Sequence, residues 1–390
     1  MIILLNINKY CFHLRENIVS VVKTLCLSTL LISKLTSAHF DEAYSTRVDE
    51  PVKYNVWQAK LPDNLGLEKV SIPGTHDSGS LYGGDMVRTQ SKSIYSQLQS
   101  GIRFLDIRLR HIDNVMAIHH SFVYQHMGFG DVLNQLEKFL NENPSEFVLV
   151  RVKEDYDPAN NSRSFEDTFY EYIKSYSGKI YLPQNEYAFP KIGDVRGKII
   201  FLDQLPRTGK YGAFGIKYPQ MFNIQDEYAL GSNWDLYKKW ENIKLYLNDA
   251  KNGKTGIINY LSGSTGSFPY FVASGHSSPG MDAPRLLTGA TTPGWWYLYP
   301  DFPRESCLGT LCSIAFEGTN TLTRDWIKYN HPEYVGIVVG DFMGPSLINE
   351  IIMSNFNGRL NEISKKLAEW AECVTSKKLV ECEHIVTTSM

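Results

Sequence analysis

Short runs rich in Val, Ile, Leu and Phe recur along the middle of this 390-residue chain, with stretches of helical period between them. Strands are predicted at Lys69–Ile72, Phe104–Leu109, Val115–His119, Phe147–Val152, Lys198–Leu202, Gly256–Leu261 and Val335–Val339. Their near-continuous apolar character fits strands covered on both faces. Over Asp131–Asn141 the spacing puts Leu133, Leu136, Phe139 and Leu140 on one helical face. Over Asp235–Lys251 it does the same for Leu236, Trp240, Ile243 and Leu247. Strands alternating with helices predict an α/β fold with a parallel sheet, and at this length a TIM-like β/α barrel, closed or irregular, in a single domain. A further helix is expected over Asn361–Glu372, towards the C-terminus.

The first 38 residues depart from this pattern. Lys9 and Arg15 precede an apolar stretch from Ile18 to Ile32, and Thr36-Ser37-Ala38 offers a small-residue cleavage site. This is the layout of a secretory signal peptide, with an amphipathic or disordered leader as the alternative. The expected domains are therefore a leader over 1–38 and a catalytic body over 39–390, with its core at about 55–355. Export would leave Cys307, Cys312, Cys373 and Cys382, whose spacing suggests the local pairs Cys307–Cys312 and Cys373–Cys382. These spacings do not match the usual zinc pattern. Asn160-Asn161-Ser162 is a glycosylation acceptor if the route is eukaryotic. With 39 basic and 42 acidic side chains and no basic block, nucleic acid is not an expected partner.

The polar residues that interrupt the apolar runs carry the chemistry. His76 and Asp77 follow a strand end in Gly74-Thr75-His76-Asp77-Ser78. Period-two alternation sends Asp106 and Arg108 to one face, and separates His120 (with Met116 and Ile118) from His119. Asp341 follows the last strand. Barrel enzymes keep their sites at the C-terminal strand ends, where all of these residues fall. Two histidines and an arginine suit phosphodiester cleavage without a metal: one imidazole takes a proton, the other gives one, and the guanidinium holds the phosphate.

Ser71-Ile72-Pro73-Gly74-Thr75-His76-Asp77-Ser78-Gly79, Phe104-Leu105-Asp106-Ile107-Arg108 and His119-His120 strongly resemble the catalytic X-domain of bacterial-type phosphatidylinositol-specific phospholipases C. The likeness runs on through Asn143-Pro144-Ser145-Glu146, Lys153, Arg196-Gly197-Lys198-Ile199 and Gln225-Asp226-Glu227-Tyr228, and ends near Asp341-Phe342. The resemblance implies metal-independent release of diacylglycerol, with inositol 1,2-cyclic phosphate formed first and slowly hydrolysed afterwards. It implies His76 as general base oriented by Asp341, Arg108 on the phosphate, and His120 paired with Asp77 as general acid. Lys153, Asp226 and Tyr228, with Asp106, are the implied substrate-binding residues. No cofactor is implied: calcium-dependent eukaryotic relatives carry acidic ligands in this part of the second strand motif, where Arg108 puts a permanent cation.

The chain also departs from that pattern. Near Phe201-Leu202-Asp203-Gln204 there is no match to a further arginine that bacterial members use on the inositol, leaving Arg207 as the candidate substitute. The stretch from Ser262 to Cys312 has no firm counterpart. Within it, Trp295-Trp296-Tyr297 is either a wedge entering the lipid interface or local core. The expected partner is phosphatidylinositol, or the glycosylphosphatidylinositol anchors that share its inositol phosphate core, met by a secreted monomer through peripheral membrane contact. Another phosphodiester as substrate, or a lipid- or glycan-binding module without turnover, are the competing readings.

Overall fold

A computed structural model describes residues 42–48, 54–278, 284–295 and 297–358. Contacts divide the chain into Met1–Phe40 and Asp41–Met390, and the fold is that of the second unit. Its main sheet contains β1 (Ile72–Thr75), β2 (Phe104–Ile112), the hairpin β3 (Val115–His120) and β4 (Val123–Gly128), β5 (Val148–Glu154), β6 (Ile199–Asp203), β7 (Gly215–Lys217) and β8 (Asn223–Gln225). A short β9 (Ala229–Leu230) lies off it, then β10 (Ile257–Tyr260) belongs to it and β11 (Ser264–Thr265) pairs with β9. Three more strands, β12 (Leu287–Thr291), β13 (Arg304–Leu308) and β14 (Leu311–Ala315), form a separate antiparallel sheet before β15 (Ile337–Gly340).

The main sheet runs β7-β6-β5-β2-β1-β15-β10-β8, and every neighbouring pair along that path is parallel. The fold class is the expected α/β one, but the barrel is curled and not closed: among the described residues no ladder joins β7 to β8. Only residues 218–222 connect these two strands. Adjacent parallel strands need a crossover of about a dozen residues, so this link cannot make them neighbours.

Each predicted strand coincides with an observed one except at the ends, with one larger shift, whereas β4, β7, β8, β9 and β11 to β14 were not predicted. The first strand is Ile72–Thr75, and the predicted Lys69–Ile72 begins in a 3-10 turn over Leu67–Lys69. Pro73-Gly74 reads as a breaker in sequence. In the sheet Pro73 still offers its carbonyl, which accepts from Arg103 N–H at 2.9 Å. Gly74 is needed there because a Cβ would stand 2.8 Å from the Phe104 ring.

The helix predicted at Asp131–Asn141 spans Phe129–Glu142 and buries Leu133, Leu136, Phe139 and Leu140. Asp131 accepts from Gly128 N–H at 2.9 Å, which closes its first turn. The second, Leu236–Lys251, buries Leu236, Trp240, Ile243 and Leu247. Its outer turns also anchor the chain after β10 at Asp301, which accepts from Tyr237 at 3.1 Å, Trp240 at 2.7 Å and Lys244 at 2.7 Å. That stretch leaves the C-terminal end of β10, carries the β12–β14 sheet and includes the disulfide Cys307–Cys312. The predicted Cys373–Cys382 pair, the Asn361–Glu372 helix and the leader lie outside the described residues.

At the N-terminal end of the sheet, Arg103 is fully buried on Glu146, with contacts of 3.0 and 2.7 Å. Its remaining donors reach the carbonyls of Leu98, Ile102 and Asn55 at 2.7, 2.8 and 3.0 Å. A fully paired ion pair at this end belongs to stability, because the chemistry sits at the other end.

Candidate active site

The C-terminal strand ends bring His76, Asp77, Arg108, His120, Lys153 and Asp341 together. His76 and Asp77 follow β1, and Asp341 follows β15, its immediate parallel neighbour. His76 N–H donates to the Gly340 carbonyl at 3.1 Å, and Gln90 donates to the His76 carbonyl at 2.8 Å. The loop is thereby fixed on both sides of the imidazole. Asp77 takes a left-handed backbone, φ 43°, which turns its carboxylate inward, where it is buried.

His76 Nδ1 lies 2.9 Å from Asp341 Oδ1, and its Nε2 lies 2.8 Å from Arg108 Nη2. The arginine can only donate, so Nε2 is the acceptor and Nδ1 carries the proton given to Asp341. Burial works against the charged imidazole. The Asp341 carboxylate and its hydrogen bond outweigh this and raise the pKa above the usual histidine value.

His120, at the end of β3, is arranged in the same way. Its Nδ1 is 2.7 Å from the Val87 carbonyl, 3.2 Å from Ser80 Oγ and 3.4 Å from Asp77 Oδ2. A carbonyl cannot donate, so Nδ1 again carries the proton and Nε2 is left for the pocket. The expected Asp77 partner is present, but the Val87 carbonyl is the closer one.

Arg108 adjoins His76 and is linked to His120 through Asp77, inside a ring of carboxylates. Asp155 lies 3.1 Å away, and Asp77 and Asp106 are each 3.4 Å away. This enclosure holds the guanidinium firmly charged despite burial. The three carboxylates respond differently. Burial pushes the Asp77 carboxyl up against the pull of Arg108 and His120. For Asp106 burial acts in the same sense, but Arg151 and Arg108 overcome it and hold the carboxyl well below the usual range. Asp155 is also lowered: Arg108 and the Ser121 N–H, at 2.7 Å, outweigh its partial burial.

One expectation is corrected here. Asp106 was expected among the substrate-binding residues, but it is completely buried, with Arg108 3.4 Å from one oxygen and Arg151 3.5 Å from the other. It holds the two arginines and has no surface to offer a ligand. Lys153 joins the site through Asp155, at 3.6 Å. Asp226 and Tyr228 lie on the loop after β8, which opens on the same end of the sheet, with Tyr228 more than half exposed. Arg207 is committed elsewhere, to Asp203 at 2.8 Å and Glu186 at 2.5 Å.

Asp155 and Arg151 were missed in sequence. Arg151-Val152-Lys153-Glu154-Asp155 alternates as Asp106-Ile107-Arg108 does, so the same period-two rule places Arg151, Lys153 and Asp155 on one face. Tyr260 at the end of β10, whose ring is edge-on to His76 at 6.3 Å, gave no comparable signal. Trp295 is half exposed on the stretch after β10, and Trp296 lies outside the described residues.

Such a site can take a proton at His76 Nε2, hold an anion on Arg108 and supply a proton from His120. The model of the phosphatidylinositol-specific phospholipase C X domain matches residues 71–204. The chain is 32% identical over 310 residues to a 1-phosphatidylinositol phosphodiesterase of Staphylococcus aureus, covering 70% of this chain and 91% of that one. It is 30% identical to a protein of the same description from Listeria monocytogenes, covering 68% and 88%. A solved mutant of the Staphylococcus aureus phosphatidylinositol-specific phospholipase C superposes with a TM-score of 0.57 at 25% identity, over 77% of this chain and 97% of that one.

Proposed function

Because this chain belongs to the phosphatidylinositol-specific phospholipase C X-domain family, we propose that it cleaves phosphatidylinositol by acid–base catalysis, with no metal in the reaction. The observation that carries the reading is the pair of imidazoles, each tied at Nδ1 (Asp341 for His76, the Val87 carbonyl for His120), with the Arg108 guanidinium against His76 and sharing Asp77 with His120.

The inositol 2-hydroxyl gives its proton to His76 Nε2 as its oxygen attacks phosphorus. The bond to the diacylglycerol oxygen breaks, and that oxygen takes the proton from Nε2 of the His120 imidazolium, which is left neutral with its Nδ1 proton on the Val87 carbonyl. The products are diacylglycerol and inositol 1,2-cyclic phosphate. The attack is intramolecular, so orientation supplies much of the rate. In the structure Arg108 donates to the lone pair that must accept the proton. Drawing the guanidinium onto a phosphate would release that lone pair, so phosphate binding itself would arm the base. Lys153, Asp226 and Tyr228 line the end of the sheet where the ring would sit.

The metal-free reading is supported by the place of the guanidinium: it sits among Asp77, Asp106 and Asp155, where a divalent cation would draw the same carboxylates. The test is cleavage of phosphatidylinositol vesicles in EDTA, with the cyclic phosphate and its hydrolysis product followed by phosphorus NMR and diacylglycerol by extraction into organic solvent. Turnover that stops on chelation and returns with calcium would overturn it. Running glycosylphosphatidylinositol in parallel identifies the preferred lipid. Secretion is part of the proposal, supported by the leader sequence and the Cys307–Cys312 disulfide. Exported protein should begin near His39 by mass spectrometry, and an intact Met1 would count against export.

A further inference from the structure

Lys239 is a lysine buried under a helix. It is 3% exposed, on the face of Leu236–Lys251 that also buries Leu236, Trp240 and Ile243. Its hydrogen bond runs to a neutral group: Nζ donates to the amide oxygen of Gln225, the last residue of β8, at 3.0 Å. Gln225 stands in register with Asn259 on β10, so both side chains leave the sheet on the face that meets the helix. Nε2 of Gln225 donates to Asn259 Oδ1 and to the Tyr260 carbonyl, each at 2.8 Å, and Asn259 donates to the Ile243 carbonyl at 2.9 Å. Three buried polar side chains thus occupy a layer where apolar ones would pack at lower cost.

What this network holds is the loop after β8. Oε1 of Gln225 accepts from Glu227 N–H at 2.9 Å as well as from Lys239. The same helix supplies an exposed second tether, from Asn242 Nδ2 to Glu227 Oε2 at 2.8 Å. Asp226 and Tyr228 flank the tethered residue and carry their exposed side chains at the mouth. The charges facing Lys239 are Asp226 and Glu227 on this loop and Asp341 after β15, while the polar residue that β10 adds, Asn259, is neutral. Burial pushes the ammonium down to about 7, and the three carboxylates offset only part of that shift.

We propose that Lys239 is a positioning residue for substrate binding, holding through Gln225 the loop that carries Asp226 and Tyr228. This rests on the phosphodiesterase reading and adds a residue that touches neither substrate nor reacting atoms. As a cation, Lys239 makes a charge-assisted hydrogen bond to Gln225 and attracts both loop carboxylates. Loss of its proton removes both effects, so the hold is full below about pH 7 and weakens as pH rises through that value. Affinity for the ring should fall by about fivefold, the difference between a hydrogen bond to a charged group and a neutral one.

The experiment measures hydrolysis of soluble inositol 1,2-cyclic phosphate from about pH 5.5 to 8.5, and its inhibition by myo-inositol, a neutral ligand that leaves phosphate out of the comparison. In the wild type the inhibition constant should rise about fivefold across this range. Lys239→Met keeps the length of the side chain without charge or donor, and Gln225 Oε1 keeps its bond from Glu227 N–H. Near pH 6 it should raise KM and the inhibition constant about fivefold with kcat nearly constant, and both should then be flat with pH. Lys239→Gln retains a donor and should raise them less, with the same flat response.

Melting separates positioning from a purely structural role. The folded pKa of Lys239 lies below the unfolded value of about 10.4. The unfolded chain therefore binds more protons between the two values, and the penalty for burying the ammonium is full below about pH 7. Lys239→Met should thus keep or raise the melting temperature near pH 6. A wild-type inhibition constant that is flat across the range refutes the proposal whatever the variants do. So does a variant that loses melting temperature and kcat while its KM and pH response match the wild type. Wild-type protein that turns over no inositol phosphodiester would instead overturn the functional reading, which separates the two failures.

Discussion

Asp341→Asn tests the base most directly. The carboxylate is almost fully buried, and Oδ1 meets His76 Nδ1 at 2.9 Å. When the imidazole takes the substrate proton it becomes a cation facing this carboxylate. Replacing the carboxylate with an amide removes a charge-assisted hydrogen bond, worth about 1.5–3 kcal/mol. At 1.36 kcal/mol per decade, kcat should fall by roughly 10–150-fold. If the amide presents its N–H to Nδ1, the imidazole changes tautomer, Nε2 carries the proton, and the loss exceeds that range. The pH profile identifies the cause. Asp341 raises the His76 pKa, so the variant should move the acid limb of kcat/KM to lower pH. Stability should respond with a definite sign as well. A group whose pKa is raised on folding contributes most below its unfolded value, about 6.5 for histidine, and the contribution is lost as pH rises through the folded value. The variant should therefore lose melting temperature mainly in acid. The assay is cleavage of phosphatidylinositol dispersed in detergent micelles, the step in which His76 acts as base, from pH 4 to 9, about one unit at a time, beside thermal melts. Less than about threefold loss of kcat, or a large loss with an unmoved acid limb, would refute the assignment of Asp341 to the base.

Three further outcomes are expected. His120→Ala should lower turnover by about 10²–10⁴-fold, whereas His119→Ala should be mild, because His119 stacks on Tyr156 and packs against Tyr124 away from Arg108; steady-state kinetics that reverse the two would reverse the strand-face assignment. Glu146→Gln should cost roughly 3–5 kcal/mol in urea unfolding by leaving Arg103 charged and buried without its partner, and a loss below about 1 kcal/mol would show that the carbonyls around Arg103 suffice. Trp295→Ala combined with Trp296→Ala should weaken binding to phosphatidylinositol vesicles while sparing hydrolysis of the soluble cyclic phosphate. Equal loss of both activities would place these tryptophans in the core.

The fold class and most of the site could be read from the sequence because both rest on local periodicity. Apolar runs of strand length marked the parallel strands, and polar residues just past them marked the catalytic end. Alternation placed Asp106 and Arg108 together and separated His120 from His119. These are properties of neighbours a few residues apart, and the backbone fixes them.

What depends on distant residues could not be read this way. The continuation of β1 to Thr75 was missed because Pro73-Gly74 looks like a breaker until the Phe104 ring is seen to occupy the space a side chain would need. Asp106 looked available to a ligand until the guanidinium groups of Arg108 and Arg151 covered it from two strands. Val87, from a loop with no pattern of its own, proved closer to His120 than Asp77. Local periodicity decides which face a side chain points from. Which groups meet across the barrel, and so which charges are screened, shared or buried, is decided only when the parallel sheet curls and brings β5, β6 and β10 to the same few ångströms.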